Sequence, residues 1–334
     1  MEKSYSNNLQ LTRFIAAALV IVSHSFPITQ GTIEKEWLYA LTNGQLTLGA
    51  LAVAVFFLCG GYLSAGSVPK YTSMKHYTIA RLKRLLPSLW FVVISCMLLG
   101  VFVTTLTPGE YFTNTMTYRY LLNGIMLLQH DLPGVFENAV YLPTVNGSLW
   151  TLPIELVCNI LCYCGLKFRF VPQRDKQRIL MVILVLGSIF LLFLGKGHGF
   201  IRTVLRPCLL FGIGMFYRIH ADKIILKKLY AWMAFVGLII CAIAGLLDLG
   251  MLIFFPYIMI VVWFGGGVQC STDIAIIGKY SYQIYLWGYP VQNVITWCSG
   301  YNLSPCLNAI YALPISVLLA VLTYHIVEQQ SRIT

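Results

Sequence analysis

The feature that most restricts the fold of this sequence is a succession of long apolar stretches separated by short basic loops. Of its 334 residues, 58% are hydrophobic and only 10% are charged. Soluble domains carry about 25% charged residues, so the composition predicts an integral membrane protein. A membrane-spanning helix needs about 20 predominantly apolar residues. The predicted spans are approximately Leu9–Phe26, Gly44–Ala65, Leu85–Thr105, Ser148–Leu166, Ile179–Gly195, Thr203–Tyr217, Tyr230–Leu247, Leu249–Gly267, Ile274–Trp297 and Leu307–Val327.

The positions of Lys and Arg predict the orientation. Most of them fall in three loops, at about residues 70–84, 167–178 and 218–228, whereas the intervening loops hold few. Cytoplasmic loops are enriched in these residues, so both termini are expected in the cytoplasm. The net charge of +11 then reflects topology. Because no basic stripe with interleaved aromatic residues occurs, nucleic-acid binding is not expected. We predict one all-α domain over residues 1–334, a polytopic transmembrane helix bundle of about ten spans.

The first span carries two ionisable residues, Arg13 and His24. They are 11 positions apart, which places them on one helix face with an axial separation of about 16 Å. Ionisable residues inside a span are costly and mark functional sites. The alternative interpretation is that Arg13 extends to the inner headgroups and that His24 lies at the outer interface.

Glu155 lies several residues into the fourth predicted span, where a carboxylate needs a partner. His24 is expected in the same half of the bilayer. A carboxylate beside an imidazole fixes its tautomer and raises its basicity, as a general base requires. A structural ion pair with an arginine is the alternative. The candidate partners include Arg202 and Arg206, which open the sixth span and also suit an anionic substrate or simple topology.

Arg81 and Arg84 are three positions apart, so they share a helix face at the predicted inner membrane surface. Two guanidinium groups in this arrangement can bind phosphate through paired hydrogen bonds. Contact with lipid phosphates is the alternative interpretation.

Most of the ten cysteines lie in apolar runs, where a cysteine usually acts as a small hydrophobic residue. Cys158 and Cys162 share a helix face, but His and Asp are missing nearby, so no metal site is expected. Cys298 and Cys306 fall in a short predicted outer loop, and a disulfide between them is left open.

Short motifs occur in a fixed order along the chain. A basic residue, ten further residues and a histidine stand in the first span, as Arg13 and His24. "VFFLCGGYL" follows and contains Gly60. "RLKRLLPSLW" then supplies Arg81 and Arg84 before an L-x-P-x-x-W pattern.

"SLWTLPIE" contributes Trp150 and Glu155, and "GKYSYQIYLWGYPV" stands near the end. Together these motifs resemble the acyltransferase-3 family, the integral-membrane O-acetyltransferases that modify bacterial surface polysaccharides. Gly60 stands where the family commonly has Ser, and Gly288 where many members have His. The expectation is a membrane domain without the C-terminal esterase-like domain of some members.

The resemblance implies acetyl-CoA as the acyl donor, with Arg13, Arg81 and Arg84 binding its phosphates at the cytoplasmic side. His24, oriented by Glu155, would deprotonate a sugar hydroxyl or be acetylated first. The remaining candidates for substrate binding are Ser148, Trp150, Arg206 and Tyr282.

The implied acceptor is a surface polysaccharide, such as O-antigen, or its lipid-linked precursor, and the implied location is the bacterial cytoplasmic (inner) membrane. Association with a second copy or a polysaccharide-assembly partner is left open. Two alternatives are a transporter exporting a polar or anionic solute and a structural subunit of an assembly complex. Inverted repeats and paired broken helices would favour the transporter, and neither is clear in this sequence.

Overall fold

The computed structural model describes residues 2–167, 173–194, 199–265 and 270–328. Helices occupy the described parts of all ten predicted spans, and these residues contain no β-strand, so the predicted all-α class is confirmed. The ends of the fifth and eighth predicted spans, at residues 195 and 266–267, lie outside the described residues. Residues 168–172 of the second predicted basic loop lie outside the described residues. The principal helices are α1 (Glu2–Gln30), α2 (Leu48–Ser67), α3 (Met74–Leu99), α4 (Thr151–Lys167), α5 (Gln173–Leu194), α6 (Gly199–Ile219), α7 (Lys228–Ile243), α8 (Leu247–Ile253), α9 (Phe255–Phe264), α10 (Ser281–Cys298) and α11 (Pro305–Thr323).

Five helical segments of the described chain are long and apolar enough to cross a membrane. Others are shorter, and the eighth predicted span is divided at Phe254 between α8 and α9. Pro256 stands in the first turn of α9, where its missing N–H group leaves no intrahelical bond unmade. The protein is therefore a multi-pass membrane protein, while the count of ten spans and their orientation stay predictions. The five segments are Asn7–Gln30, Leu48–Lys70, Met74–Phe102, Leu247–Phe264 and Pro305–Val327.

The segment between α3 and α4 forms short helical pieces and irregular chain. At its start, Thr107 Oγ1 accepts a hydrogen bond from the Glu110 N–H, and Glu110 Oε2 accepts one from the Thr107 N–H at 2.9 Å. The Thr107 hydroxyl also donates to Glu110 Oε2 at 2.7 Å, and this bond, together with the one from the Thr107 N–H, lowers the pKa of Glu110. The shorter helical pieces of the described chain are Trp37–Leu41, Val68–Lys70, Gly100–Phe102, Pro108–Thr113, Thr115–Arg119, Tyr120–Ile125, Thr272–Ala275, Ile276–Tyr280 and Tyr324–Glu328.

The chain folds into two compact units, each built from three separate segments. The first unit comprises residues 1–13, 41–79 and 154–278. The second comprises residues 14–40, 80–153 and 279–334. Helices α1, α3 and α4 each contribute residues to both units.

In the first unit, α2 and α6 approach each other at backbone distance. A Cβ atom at Gly61 would overlap the carbonyl oxygen of Phe211, and one at Gly214 would overlap the carbonyl oxygen of Leu58. Small residues at helix interfaces permit such close packing, which supplies much of the attraction between helices in a membrane. The α2–α6 pair therefore depends on these two glycines.

In the second unit, α1, α10 and α11 are joined by a buried cluster of amide and hydroxyl side chains. Gln292 Nε2 donates to the Ile21 carbonyl at 2.7 Å, to Ser25 Oγ at 2.8 Å and to Asn308 Oδ1 at 2.9 Å. Asn308 Nδ2 donates to the Gln292 carbonyl at 3.0 Å and to Thr296 Oγ1 at 2.8 Å. A polar cluster in an apolar bundle fixes the rotation of each helix, since turning one would leave buried groups unpaired.

We expect Gly214→Ala to destabilise the protein by about 1–3 kcal/mol, because the added Cβ overlaps the backbone of α2 and packed interiors resist overfilling. Gly165→Ala in α4 is the matched control, since a Cβ atom added there would meet no neighbouring group of the described chain within 4 Å. The control should leave stability unchanged or raise it slightly. Thermal unfolding of both purified variants measures the difference, and equal midpoints would contradict the close α2–α6 contact.

Candidate active site

His24 faces into the second unit from α1. Its side chain is half-buried, and its Nδ1 atom is buried without a hydrogen-bond partner among the described residues. The imidazole meets the ring of Tyr289 on α10 edge-on, with ring centroids 5.1 Å apart and ring planes at 75°. This aromatic contact restricts the plane of the imidazole, so an unused nitrogen is held at a defined position.

The turn that precedes α4 packs against this His24–Tyr289 contact. A Cβ atom at Gly147 would lie 2.8 Å from the Tyr289 ring, so the turn packs directly against that ring. The next residue, Ser148, is 1% exposed, and its Oγ has no partner among the described residues. Tyr289 therefore contacts both His24 and the turn that carries Ser148. Buried polar atoms without a partner are rare in native structures and call for a bound group or water.

Side-chain hydrogen bonds in both directions connect helix α10 to this turn and to the first residue of α4. Each bond satisfies a backbone carbonyl or a hydroxyl that the membrane would leave without water. The turn is thereby attached to the helix that also carries Tyr289. The hydrogen bonds are Asn293 Nδ2 to the Thr144 carbonyl at 2.9 Å, Asn146 Nδ2 to the Leu286 carbonyl at 2.9 Å, Tyr285 Oη to the Ser148 carbonyl at 2.7 Å, and Thr151 Oγ1 with Tyr285 Oη at 2.8 Å.

Two other sequence candidates lie in the same unit. Tyr282 donates its hydroxyl proton to the Leu85 carbonyl at 2.9 Å, so it connects α10 to α3. Trp150 is half-buried in the residues just before α4. Ser148 is the candidate whose polar atom remains available to a substrate.

The arginines expected to bind phosphate lie on two helices. Arg81 is half-buried and Arg84 is exposed, both in the part of α3 that belongs to the second unit. Arg13 is half-buried in the first unit. Glu155 also belongs to the first unit and is half-buried; its carbonyl accepts from Asn159 Nδ2 at 2.8 Å. The pairing of Glu155 with His24 stays a prediction.

Arg206 forms an ion pair with Asp248. Its Nη1 lies 2.9 Å from Asp248 Oδ1, and Arg202 Nε lies 2.7 Å from Asp248 Oδ2. Arg202 also donates to the carbonyl oxygen of Gln45. One carboxylate thus pairs with two guanidinium groups within the first unit. Asp248 lies between the seventh and eighth predicted spans. Glu155 is not needed as their counter-ion.

The cysteines add no further chemistry to this site. Cys298 and Cys306 are exposed free thiols, so the structure contains no disulfide there. Within the described ranges, no group of three His, Cys, Asp or Glu side chains is placed to hold a metal ion.

Sequence reasoning missed Tyr289 and Asp248. Tyr289 stands in an apolar helix, where an aromatic residue is indistinguishable from ordinary core. Asp248 carried a usable signal, because an acidic residue between two apolar stretches needs a partner as much as Glu155 does.

The profile of the acyltransferase-3 family, described as an acyltransferase domain, matches residues 6–325. The chain belongs to this family. This confirms the predicted enzyme class, so the protein is an acyltransferase rather than a transporter or a structural subunit.

Two relatives of this acyltransferase are informative. An "O-acetyl transferase" of Shigella phage Sf6 is 25% identical, over 97% of this chain and 96% of the relative. "Nodulation protein 10" of Rhizobium leguminosarum bv. viciae is 26% identical, over 69% of this chain and 65% of the relative. No solved structure gives a significant match. The similarity to the phage protein supports O-acetylation in general terms.

We expect Gly147→Ala to lower transfer activity about tenfold to a hundredfold, because the new methyl group pushes the Tyr289 ring and with it the His24 imidazole. Gly109→Ala is the matched control, since a Cβ atom added there would meet no neighbouring group of the described residues within 4 Å. Activity in membranes, normalised to folded protein, measures the effect. Full activity of Gly147→Ala would contradict the proposed coupling between the turn and His24.

Proposed function

We propose that this acyltransferase moves an acetyl group from cytoplasmic acetyl-CoA to a sugar hydroxyl. The acceptor is a surface polysaccharide or its lipid-linked precursor, and the enzyme resides in the bacterial cytoplasmic membrane. The family assignment and the name of the phage relative support acyl transfer to oxygen. The motifs that resemble the family's support the donor and the class of acceptor.

The observation that carries this proposal is the buried, unpaired Nδ1 of His24 beside Tyr289. A buried histidine with a purely structural role is expected to use both ring nitrogens in hydrogen bonds, one as donor and the other as acceptor. A nitrogen left without a protein partner is suited to accept the proton of an incoming hydroxyl. The unpaired Ser148 Oγ, next to Gly147, is suited to donate a hydrogen bond to a developing oxyanion.

In the proposed reaction, His24 acts first as a base and then as an acid. One of its nitrogens accepts the proton of the acceptor hydroxyl while the hydroxyl oxygen forms a bond to the thioester carbonyl carbon. The tetrahedral intermediate places negative charge on the carbonyl oxygen, which Ser148 stabilises by hydrogen bonding. The carbon–sulfur bond then breaks, and the imidazolium returns its proton to the departing thiolate of CoA. The products are an acetyl ester and free CoA.

Other residues have supporting roles in the proposed reaction. Arg13, Arg81 and Arg84 bind the phosphates of the donor, since guanidinium groups bind phosphate through paired, charge-assisted hydrogen bonds. Glu155 orients His24 and Trp150 contacts the acceptor, whereas Arg206 is already paired with Asp248 and takes no part in acceptor binding. Tyr289 is a positioning residue, because it contacts His24 and the turn rather than the reacting atoms.

A second version of the chemistry begins with acetylation of His24 itself. The imidazole nitrogen attacks the thioester, CoA leaves, and the acceptor hydroxyl then takes the acetyl group from the histidine. Incubation with acetyl-CoA in the absence of acceptor distinguishes the two versions. Mass spectrometry would find an acetyl group on His24 in the second version and an unmodified peptide in direct transfer.

We expect His24→Ala to lower acetyl transfer by about 10²–10⁴-fold, the range that general acid–base catalysis contributes. Added imidazole should restore part of the activity, because truncation leaves room where the ring was. His76→Ala is the matched control, since His76 is exposed in the described structure. Transfer of radiolabelled acetyl from acetyl-CoA to glycan in membranes provides the measurement.

A folded His24→Ala protein with full transfer would remove His24 from the chemistry. Folding is checked by the elution profile in detergent and by the unfolding midpoint. Mass spectrometry of surface glycans from cells with and without the enzyme tests the acceptor separately.

A further inference from the structure

The first unit contains a small pocket that takes no part in the steps of the proposed reaction. It has a volume of about 190 Å³, and three aromatic rings line it, those of Tyr62, Tyr217 and Phe264. Ile260 and Leu226 complete its apolar wall. The pocket lies where α2, α6 and α9 end, beside the chain that follows α6.

The close packing of α2 and α6 builds this pocket, because Gly61 and Gly214 let the two backbones touch. One turn further along α2, a Cβ atom at Gly66 would lie 2.7 Å from Arg218 Nε. The guanidinium group of Arg218 therefore lies directly against the α2 backbone, which holds it next to the pocket.

Arg218 is also attached to an aromatic wall of the pocket. Its guanidinium carbon lies 5.3 Å from the centroid of the Tyr62 ring, and its Nη1 donates to Tyr62 Oη at 3.4 Å. Tyr62 in turn stacks on Phe264, with centroids 4.9 Å apart and planes at 29°. Arg218 is also exposed, so its side chain is accessible to a ligand bound at the mouth of the pocket.

The segment that follows α6 beside the pocket carries two exposed lysines among its exposed residues. Lys223 and Lys227 are exposed, and Asp222 offsets one of their charges. The surroundings thus combine flat aromatic walls with a positioned guanidinium group and exposed ammonium groups. This combination matches a planar heterocycle that carries phosphate.

We propose that this pocket binds the adenine ring of an adenine nucleotide, with a nucleotide phosphate on Arg218. The inference deepens the proposed function and rests on it for the biological ligand, which would be the adenosine 3′-phosphate end of acetyl-CoA. Base–aromatic stacking and arginine–phosphate hydrogen bonds provide the binding energy.

An acyl chain of a lipid fits this pocket less well. A larger and more open groove of about 780 Å³ lies elsewhere in the first unit, with Trp232, Met233 and Ile240 among its lining residues. Exposed aliphatic and aromatic side chains of that kind suit lipid chains. The small pocket offers aromatic walls and a fixed guanidinium group instead.

Binding is tested on the full-length protein in lipid nanodiscs, with CoA and 3′-phosphoadenosine 5′-phosphate as probes. Phe264→Ala is expected to weaken both probes about tenfold, since a base stacked on an aromatic ring contributes about 1–3 kcal/mol. Val262→Ala on the same helix is the matched control, because Val262 is 49% exposed. Phe264→Leu, which keeps apolar volume without the ring, replaces Phe264→Ala if that variant does not fold.

Arg218→Gln separates the phosphate contact from the stacking contact. It should weaken the phosphorylated probes several-fold and leave the affinity for adenosine unchanged. Unchanged affinity for all probes in both the Phe264 and Arg218 variants would overturn the proposal. Loss of co-purified phospholipid from the Phe264 variant, with nucleotide affinity unchanged, would also overturn it and assign the pocket to lipid.

Donor kinetics connect the pocket to the reaction. The ratio of kcat/KM for acetyl-CoA to that for S-acetylpantetheine, which lacks the adenosine moiety, should fall about tenfold in Phe264→Ala. An unchanged ratio would overturn the assignment to the donor. If the wild-type protein used neither thioester, the proposed donor would fail, whereas the nucleotide-binding result would still decide the pocket on its own.

Discussion

The second unit depends on the hydrogen bonds that α10 donates to the backbones of its neighbours. A membrane supplies no water for carbonyl groups outside regular helix, so such groups need side-chain donors. Asn293 and Tyr285 supply them to the turn before α4, and Gln292 supplies one to α1. These bonds bring the His24 helix and the Ser148 turn to one common support. The proposed roles of His24 and Ser148 need such a support, because small misplacements of reacting groups cost large factors in rate.

The packing of the first unit follows a different rule. Glycines let α2 and α6 approach at backbone distance, and dispersion contacts over the whole interface replace the hydrophobic effect that lipid cannot provide. The buried arginine of this unit has a local counter-ion, since Asp248 pairs with both Arg206 and Arg202. The second unit is thus stabilised mainly by buried hydrogen bonds from α10, and the first by close helix packing at glycines and by an ion pair.

The helical fold was predictable because length and hydropathy alone decide where a chain can form membrane helices. The division of the eighth span at Phe254 was harder to predict, since Pro256 is the only sign of a break in this apolar run. His24 stood out as an ionisable residue in an apolar span, whereas Ser148 was only one of several candidates for substrate binding. Tyr289 and Gly147 did not stand out, because their contribution is geometric. Tyr289 contacts the His24 ring, and Gly147 leaves space for the Tyr289 ring. The partner of Arg206 was missed because Asp248 was assigned to a loop.

Gly288 has an implication for how chains of this family vary. A Cβ atom there would lie 2.9 Å from Ile21 Cγ1, so the helix face next to Tyr289 is already filled by the isoleucine of α1. An imidazole at this position, as many members are expected to have, requires a smaller neighbour or a shifted α1. Positions 21 and 288 should therefore change together during evolution. Grafting a histidine into this chain would need a compensating Ile21→Ala or Ile21→Gly replacement to be tolerated.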